Sequence, residues 1–136
     1  MVSSSTDEVV DVRKRLKIWY DSPYKFVTQA LGVEPEEWQK KAMLAIKNND
    51  RVAVKSGHGV GKSALESWII LWWLLTRYPA KVACTAPTGH QLSDVLWGEI
   101  AKWYRKLPPG LKSLLAVKND RVELVSAPSE SFAVAR

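Results

Sequence analysis

Residues 51–75, RVAVKSGHGVGKSALESWIILWWLL, constrain the fold more than any other part of the chain. A short β-branched run, with Val52 and Val54 inside RVAVKS, leads into a glycine-rich turn. A segment apolar on nearly every helical face follows: Leu65, Trp68, Ile69, Ile70, Leu71, Trp72, Trp73, Leu74 and Leu75. A helix of that kind is covered on several sides. The pattern predicts that it begins at Lys62, runs to about Arg77 and is ended by Pro79. Its most apolar stretch, WIILWWLL at 68–75, is eight residues long. A membrane span requires roughly 18, so the stretch reads as a buried helix.

The rest of the chain extends the same alternation. KVACTAP is an apolar run that fits a strand buried on both faces. TGHQLSDVLWGEIAKWYRKL sets Leu92, Val95, Leu96, Ile100, Trp103 and Leu107 on one helical stripe, and PPG at 108–110 breaks it. LKSLLAVKND reads as a short helix or turn, and RVELVSA as another strand. Strand, loop, helix, strand, helix, strand is the order of an α/β domain with a parallel sheet. Right-handed crossovers then place the glycine loop at the carboxyl end of the first strand, where such folds bind ligands.

Residues 1–50 read as a helical segment in three pieces. Val9, Val12, Leu16 and Trp19 or Tyr20 have helical spacing. Ser22 and Pro23 are a cap-and-start pair for a second helix that Gly32 closes. Pro35 opens a third, PEEWQKKAMLAIKNN, whose first turn is acidic, as the helix dipole favours.

Bulk properties narrow the function classes. With 136 residues, 46% of them hydrophobic and 25% charged, the chain is sized for one compact domain with a core. The lone cysteine, Cys84, excludes an internal disulfide framework and points to a reducing compartment; within KVACTAP it reads as packing before nucleophile. The opening MVSSSTDEVVDV lacks the basic start and apolar core of a signal peptide, so a cytosolic protein is expected. Net charge is +6, and all of the excess lies in residues 51–136, the part that holds the loop. That bias suits nucleotide phosphates or nucleic acid, and equally a solvated basic surface.

SGHGVGKS, residues 56–63, nearly matches the phosphate-loop pattern GxxxxGK[ST], with Ser56 standing where the first glycine belongs. Such loops work because successive backbone N–H groups converge on an anion at a helix N-terminus. Gly57, Gly59 and Gly61 let the backbone curl close, with His58 and Val60 between them. Lys62 reaches the terminal phosphates of ATP, and the Ser63 hydroxyl ligates Mg²⁺. The alternative is a glycine-rich turn with Ser63 as helix cap and Lys62 solvated.

RVAVKSGHGVGKS, with WQ upstream and KVACTAPTGHQL downstream, resembles the ATPase domain of the large terminase subunit of tailed bacteriophages. The wider relatives are superfamily 2 helicases, whose loops also often lack the first glycine. The resemblance covers most of residues 34–136 and implies a P-loop, RecA-like three-layer domain. Residues 51–136 would then be the first part of that ATPase core, preceded by the helical segment 1–50. It implies that Gln39 reads the adenine edge, where a carboxamide donates and accepts at once; the plainer reading is an exposed helix glutamine. It implies that Thr85 to Gln91, with Thr85, Thr88 and Gln91 as candidates, couples nucleotide state to DNA. There the plainer reading is that Pro87 ends a strand and Thr88 caps a helix. Several terminases carry arginine at the place of His58, and no arginine-finger role transfers to a histidine that is charged only near or below neutral pH.

The resemblance further implies a motor that hydrolyses ATP with Mg²⁺ to move double-stranded DNA, gripped by its phosphates, into procapsids. Its partners would be a portal protein, a small terminase subunit and other copies of itself in a ring. The family's Asp-Glu pair at the end of an apolar strand, which holds Mg²⁺ and orients the attacking water, has no counterpart here. None of Glu66, Asp94, Glu99, Asp120, Glu123 and Glu130 ends a run of four apolar residues. The final VSAPSESFAVAR resembles the family segment shortly before that strand, so the chain is expected to be an N-terminal portion with little hydrolysis of its own. Two other readings stay open: a helicase-like ATPase fragment, and a non-catalytic interaction module.

Overall fold

The computed structural model describes residues 3–48, 61–84 and 89–135. The expected strand RVAVKS lies outside them. Helix α1 spans Ser3–Asp21, and α2, Pro23–Phe26, runs on through a π-helical turn at Val27–Leu31. Helix α3 spans Glu37–Asn48 and α4 Lys62–Thr76. Strand β1 is Lys81–Cys84, helix α5 Gly89–Lys106 and helix α6 Pro109–Lys112. Strands β2, Leu115–Val117, β3, Arg121–Leu124, and β4, Phe132–Ala135, complete the order. The chain is α/β, and none of the described helices is long and apolar enough to cross a membrane.

Local chemistry sets the helix ends. The Ser22 hydroxyl accepts from Lys25 N–H at 3.1 Å, and Pro23 sits in the first turn, where its missing N–H costs nothing. Gly32 closes the π turn at φ 71°, the left-handed conformation that a side chain penalises. Helix α4 stops at Thr76, two residues before the cis Tyr78–Pro79 bond.

Helix α4 is the centre of the core, as its composition demands. It packs along α5 and α1 and reaches β3 and β4. Trp68 meets Trp103 of α5 edge to face at 5.4 Å. Trp72 is fully buried and donates its indole N–H to the Trp19 carbonyl of α1. Trp73 is half-buried, and the Arg77 guanidinium lies 4.2 Å from its ring and 4.3 Å from those of Trp72 and Tyr20. Burial among these rings holds the Arg77 pKa below its ordinary value. Leu96, Ile100 and Trp103 on α5 and Leu107 just after it face the core as expected, and the side chain of Leu92 lies outside those described, but Val95 is 57% exposed and Trp97 is buried in its stead. A helix steps 100° per residue, so 95 and 97 flank the stripe on opposite sides and the larger ring takes the inner position.

The sheet corrects the expected topology. Its order is β1-β4-β3-β2: β1 and β4 run parallel, while β4 with β3 and β3 with β2 are antiparallel. The sheet of the described residues is therefore mixed. Between β2 and β3 lie only residues 118–120, closed by Lys118 N–H to Arg121 C=O at 2.7 Å. A link that short makes a hairpin, since parallel neighbours need a crossover of a dozen residues or more. Two strands escaped the sequence reading: β2, in the half of LKSLLAVKND that does not become α6, and β4 within SFAVAR. Strand β1 is also less buried than expected, with Lys81 and Ala83 exposed and Val82 half-buried. The alternation places Val82, Ala133 and Val122 on the core face, and Lys81, Phe132 and Glu123 on the other.

Candidate functional site

Helix α4 begins where the glycine loop ends. Gly61 is its N-cap at φ 87°, and the Gly61 carbonyl accepts the first helical bond from Leu65 N–H at 3.0 Å. Ser63 is thus inside the first turn, and the reading of Ser63 as helix cap is replaced by Gly61. Its own carbonyl accepts from the buried Ser67 hydroxyl at 2.7 Å, while its hydroxyl makes no hydrogen bond among the described residues. Lys62, the first helical residue, is half-buried and forms no ion pair among the described residues. A cation there opposes the helix dipole. It adds positive potential to N–H groups that have no helical acceptor.

Gln39 is brought to this helix start from 22 residues away. It is 4% exposed, which overturns the exposed-glutamine reading. Its Nε2–H donates to Gly61 C=O at 3.0 Å, and its Oε1 accepts from Glu36 N–H at 2.8 Å. A backbone N–H only donates and a carbonyl only accepts, so these two partners fix which end of the carboxamide is which. The neighbouring Trp38 lies against Gly61 too, its indole donating to Glu36 at 2.7 Å. The pair WQ therefore forms one wall of the loop's exit.

Among the candidates, Gln39, Gly61, Lys62 and Ser63 are together at one helix start. Ser56, Gly57, His58, Gly59 and Val60 lie outside the described residues, as do Thr85 and Thr88. Gln91 falls within α5.

The carboxylates sort themselves by their partners. Glu123 pairs with Lys118 at 2.7 Å and Arg121 at 2.8 Å, and those hydrogen bonds, Lys118 first, hold its pKa below the ordinary carboxyl value. Glu99 accepts from Trp103 at 2.9 Å, and Glu130 accepts from Tyr78. Glu66 differs: it stands one turn after Lys62 on α4, half-buried, with no hydrogen bond among the described residues. Sequence reasoning passed over it because it ends no apolar run, although its i,i+4 spacing to Lys62 was visible.

Burial raises the Glu66 pKa above 4.5, and the Lys62 charge opposes the rise. A raised folded value means stability that is fully present below the unfolded pKa and lost as pH climbs through the folded one. Glu66→Gln should accordingly melt higher than the parent near neutral pH, with the gap closing below 4.5. Melting curves at the two pH values check this, and a gap independent of pH would contradict it.

Comparison of the chain with protein-family models, with curated proteins and with solved structures finds no match.

Proposed function

We propose that the chain is the ATP-binding part of a terminase-like DNA-packaging motor, a machine that hydrolyses ATP to translocate double-stranded DNA into viral procapsids. The observation that carries this reading is the buried Gln39 bound to Gly61 C=O, since it unites the two elements, WQ and GKS, on which the resemblance rests. Charge supports it as well, with a half-buried cation and N–H groups that have no helical acceptor at one helix start.

In this reading Lys62 binds the terminal phosphates, and the first N–H groups of α4 point at them without reorganising. Mg²⁺ fits beside them, since the Ser63 hydroxyl has no other partner among the described residues; the ion would neutralise phosphate charge. Such a motor would meet DNA through its phosphates with little sequence preference. It would work in the host cytoplasm with a portal protein, a small terminase subunit and a ring of its own copies.

The reading expects binding without brisk turnover, because no Asp-Glu pair closes an apolar run in this sequence. Mg-ATP at 100 times its Kd should stabilise the chain by about 2.7 kcal/mol, seen as a higher melting temperature. Phosphate release from ATP should stay close to background. A melting temperature indifferent to Mg-ATP removes the proposal, and turnover at the pace of an ordinary ATPase would reveal a catalytic carboxylate elsewhere in the chain.

A further inference from the structure

The resemblance gives Gln39 an adenine to read, but its contacts describe a different task. The Glu36 carbonyl accepts the first bond of α3, from Lys40 N–H at 3.0 Å, so Glu36 is the N-cap and Gln39 the third helical residue. From that position a glutamine reaches back to the N-cap N–H, one half of a capping box. Gln39 Oε1 does this at 2.8 Å. With the oxygen so engaged, the amide nitrogen is aimed across the gap at Gly61 C=O, which it meets at 3.0 Å.

That carbonyl now accepts twice, from Gln39 Nε2 and from Leu65 N–H. The 61–62 peptide unit is planar and trans, so its C=O and N–H point in opposite directions. Holding the Gly61 oxygen toward α3 and the helix body turns the Lys62 N–H outward, to the side from which an anion approaches a helix start. The fit leaves no room for another residue at 61. A Cβ there would stand 2.8 Å from Gln39 Nε2 and 3.3 Å from Trp38 Cζ2, at a φ of 87° that already disfavours one.

We infer that Gln39 is a positioning residue for phosphate binding: its carboxamide clamps the Gly61 carbonyl to the start of α3 and thereby orients the Lys62 N–H toward the anion. This rests on the nucleotide reading, and it gives Gln39 a role that is blind to the base. Recognition of ATP, GTP and inorganic tripolyphosphate should depend on it alike.

Two substitutions separate the clamp from the cap. Gln39→Glu keeps an acceptor for Glu36 N–H, so α3 stays capped, but its carboxylate has no hydrogen to give Gly61. Gln39→Met removes both bonds without adding charge. Each variant, titrated with Mg-ATP, Mg-GTP and Mg-tripolyphosphate, should lose affinity for all three by a similar factor, about fivefold to tenfold for Gln39→Met. In both, the Lys62 amide resonance should move with no ligand present, and both should melt below the parent, Gln39→Glu because its buried carboxylate faces the Gly61 carbonyl oxygen. Loss confined to ATP would establish base reading and overturn the inference, as would an unmoved Lys62 amide. A parent chain that binds none of the three ligands would instead remove the nucleotide reading, and with it any phosphate role for the clamp, even if the resonance moves.

Discussion

Trp72→Ala is expected to destabilise the chain by about 3–5 kcal/mol, the largest effect of any single substitution in α4. Three losses coincide at this residue. The indole is fully buried between α4 and α1, so its removal leaves a cavity that two helices cannot close without shifting. Its N–H satisfies the Trp19 carbonyl, and an orphaned buried acceptor adds its own desolvation cost. Arg77 loses one of the three rings around its guanidinium. Trp73, one residue on, is the control: it is half-buried and donates no hydrogen bond among the described residues, so Trp73→Ala should cost about 1–2 kcal/mol. Urea unfolding followed by far-UV circular dichroism measures both, and equal costs would show that Trp72 does not anchor α4 to α1 in the way its burial and hydrogen bond imply.

The second large effect concerns ligand affinity. Lys62→Ala should weaken Mg-ATP binding about a hundredfold, on the order of 3 kcal/mol, the range of a hydrogen bond between charged groups. The same change should leave the fold intact. A cation in the first turn opposes the helix dipole, and Lys62 forms no ion pair among the described residues, so relief of the dipole offsets the lost pull of its charge on half-buried Glu66. Affinity and stability therefore separate at this residue, whereas they fall together at Trp72.

What the sequence made legible is what short-range chemistry decides. Ser22, Pro23 and Gly32 bracket α2 and its π turn because capping and φ preferences act within a few residues. The extent of α4 follows from its run of apolar side chains and the breaker at Pro79. Long-range pairing was not legible: β1 reaches β4 across 47 intervening residues, and nothing in KVAC or FAVA names its partner. The antiparallel β2 and β3 hairpin was within reach, since KND is too short for a crossover, but LAV has only three residues and was absorbed into the turn before it. At the site, Gln39 was found through its resemblance and given a base to read. Its glutamine at the third helical position already carried the capping signal. The bond to Gly61 was hidden, because it forms only when the fold brings the start of α3 to the start of α4.

Calorimetric titration of Mg-ATP into the parent chain and into Lys62→Ala tests the central claim most directly. The account predicts a saturable, one-site isotherm for the parent and about a hundredfold weaker binding for the variant, with matching melting temperatures in the absence of ligand. Equal affinities, or no heat from either protein, would contradict it and leave SGHGVGKS as a turn that starts a helix.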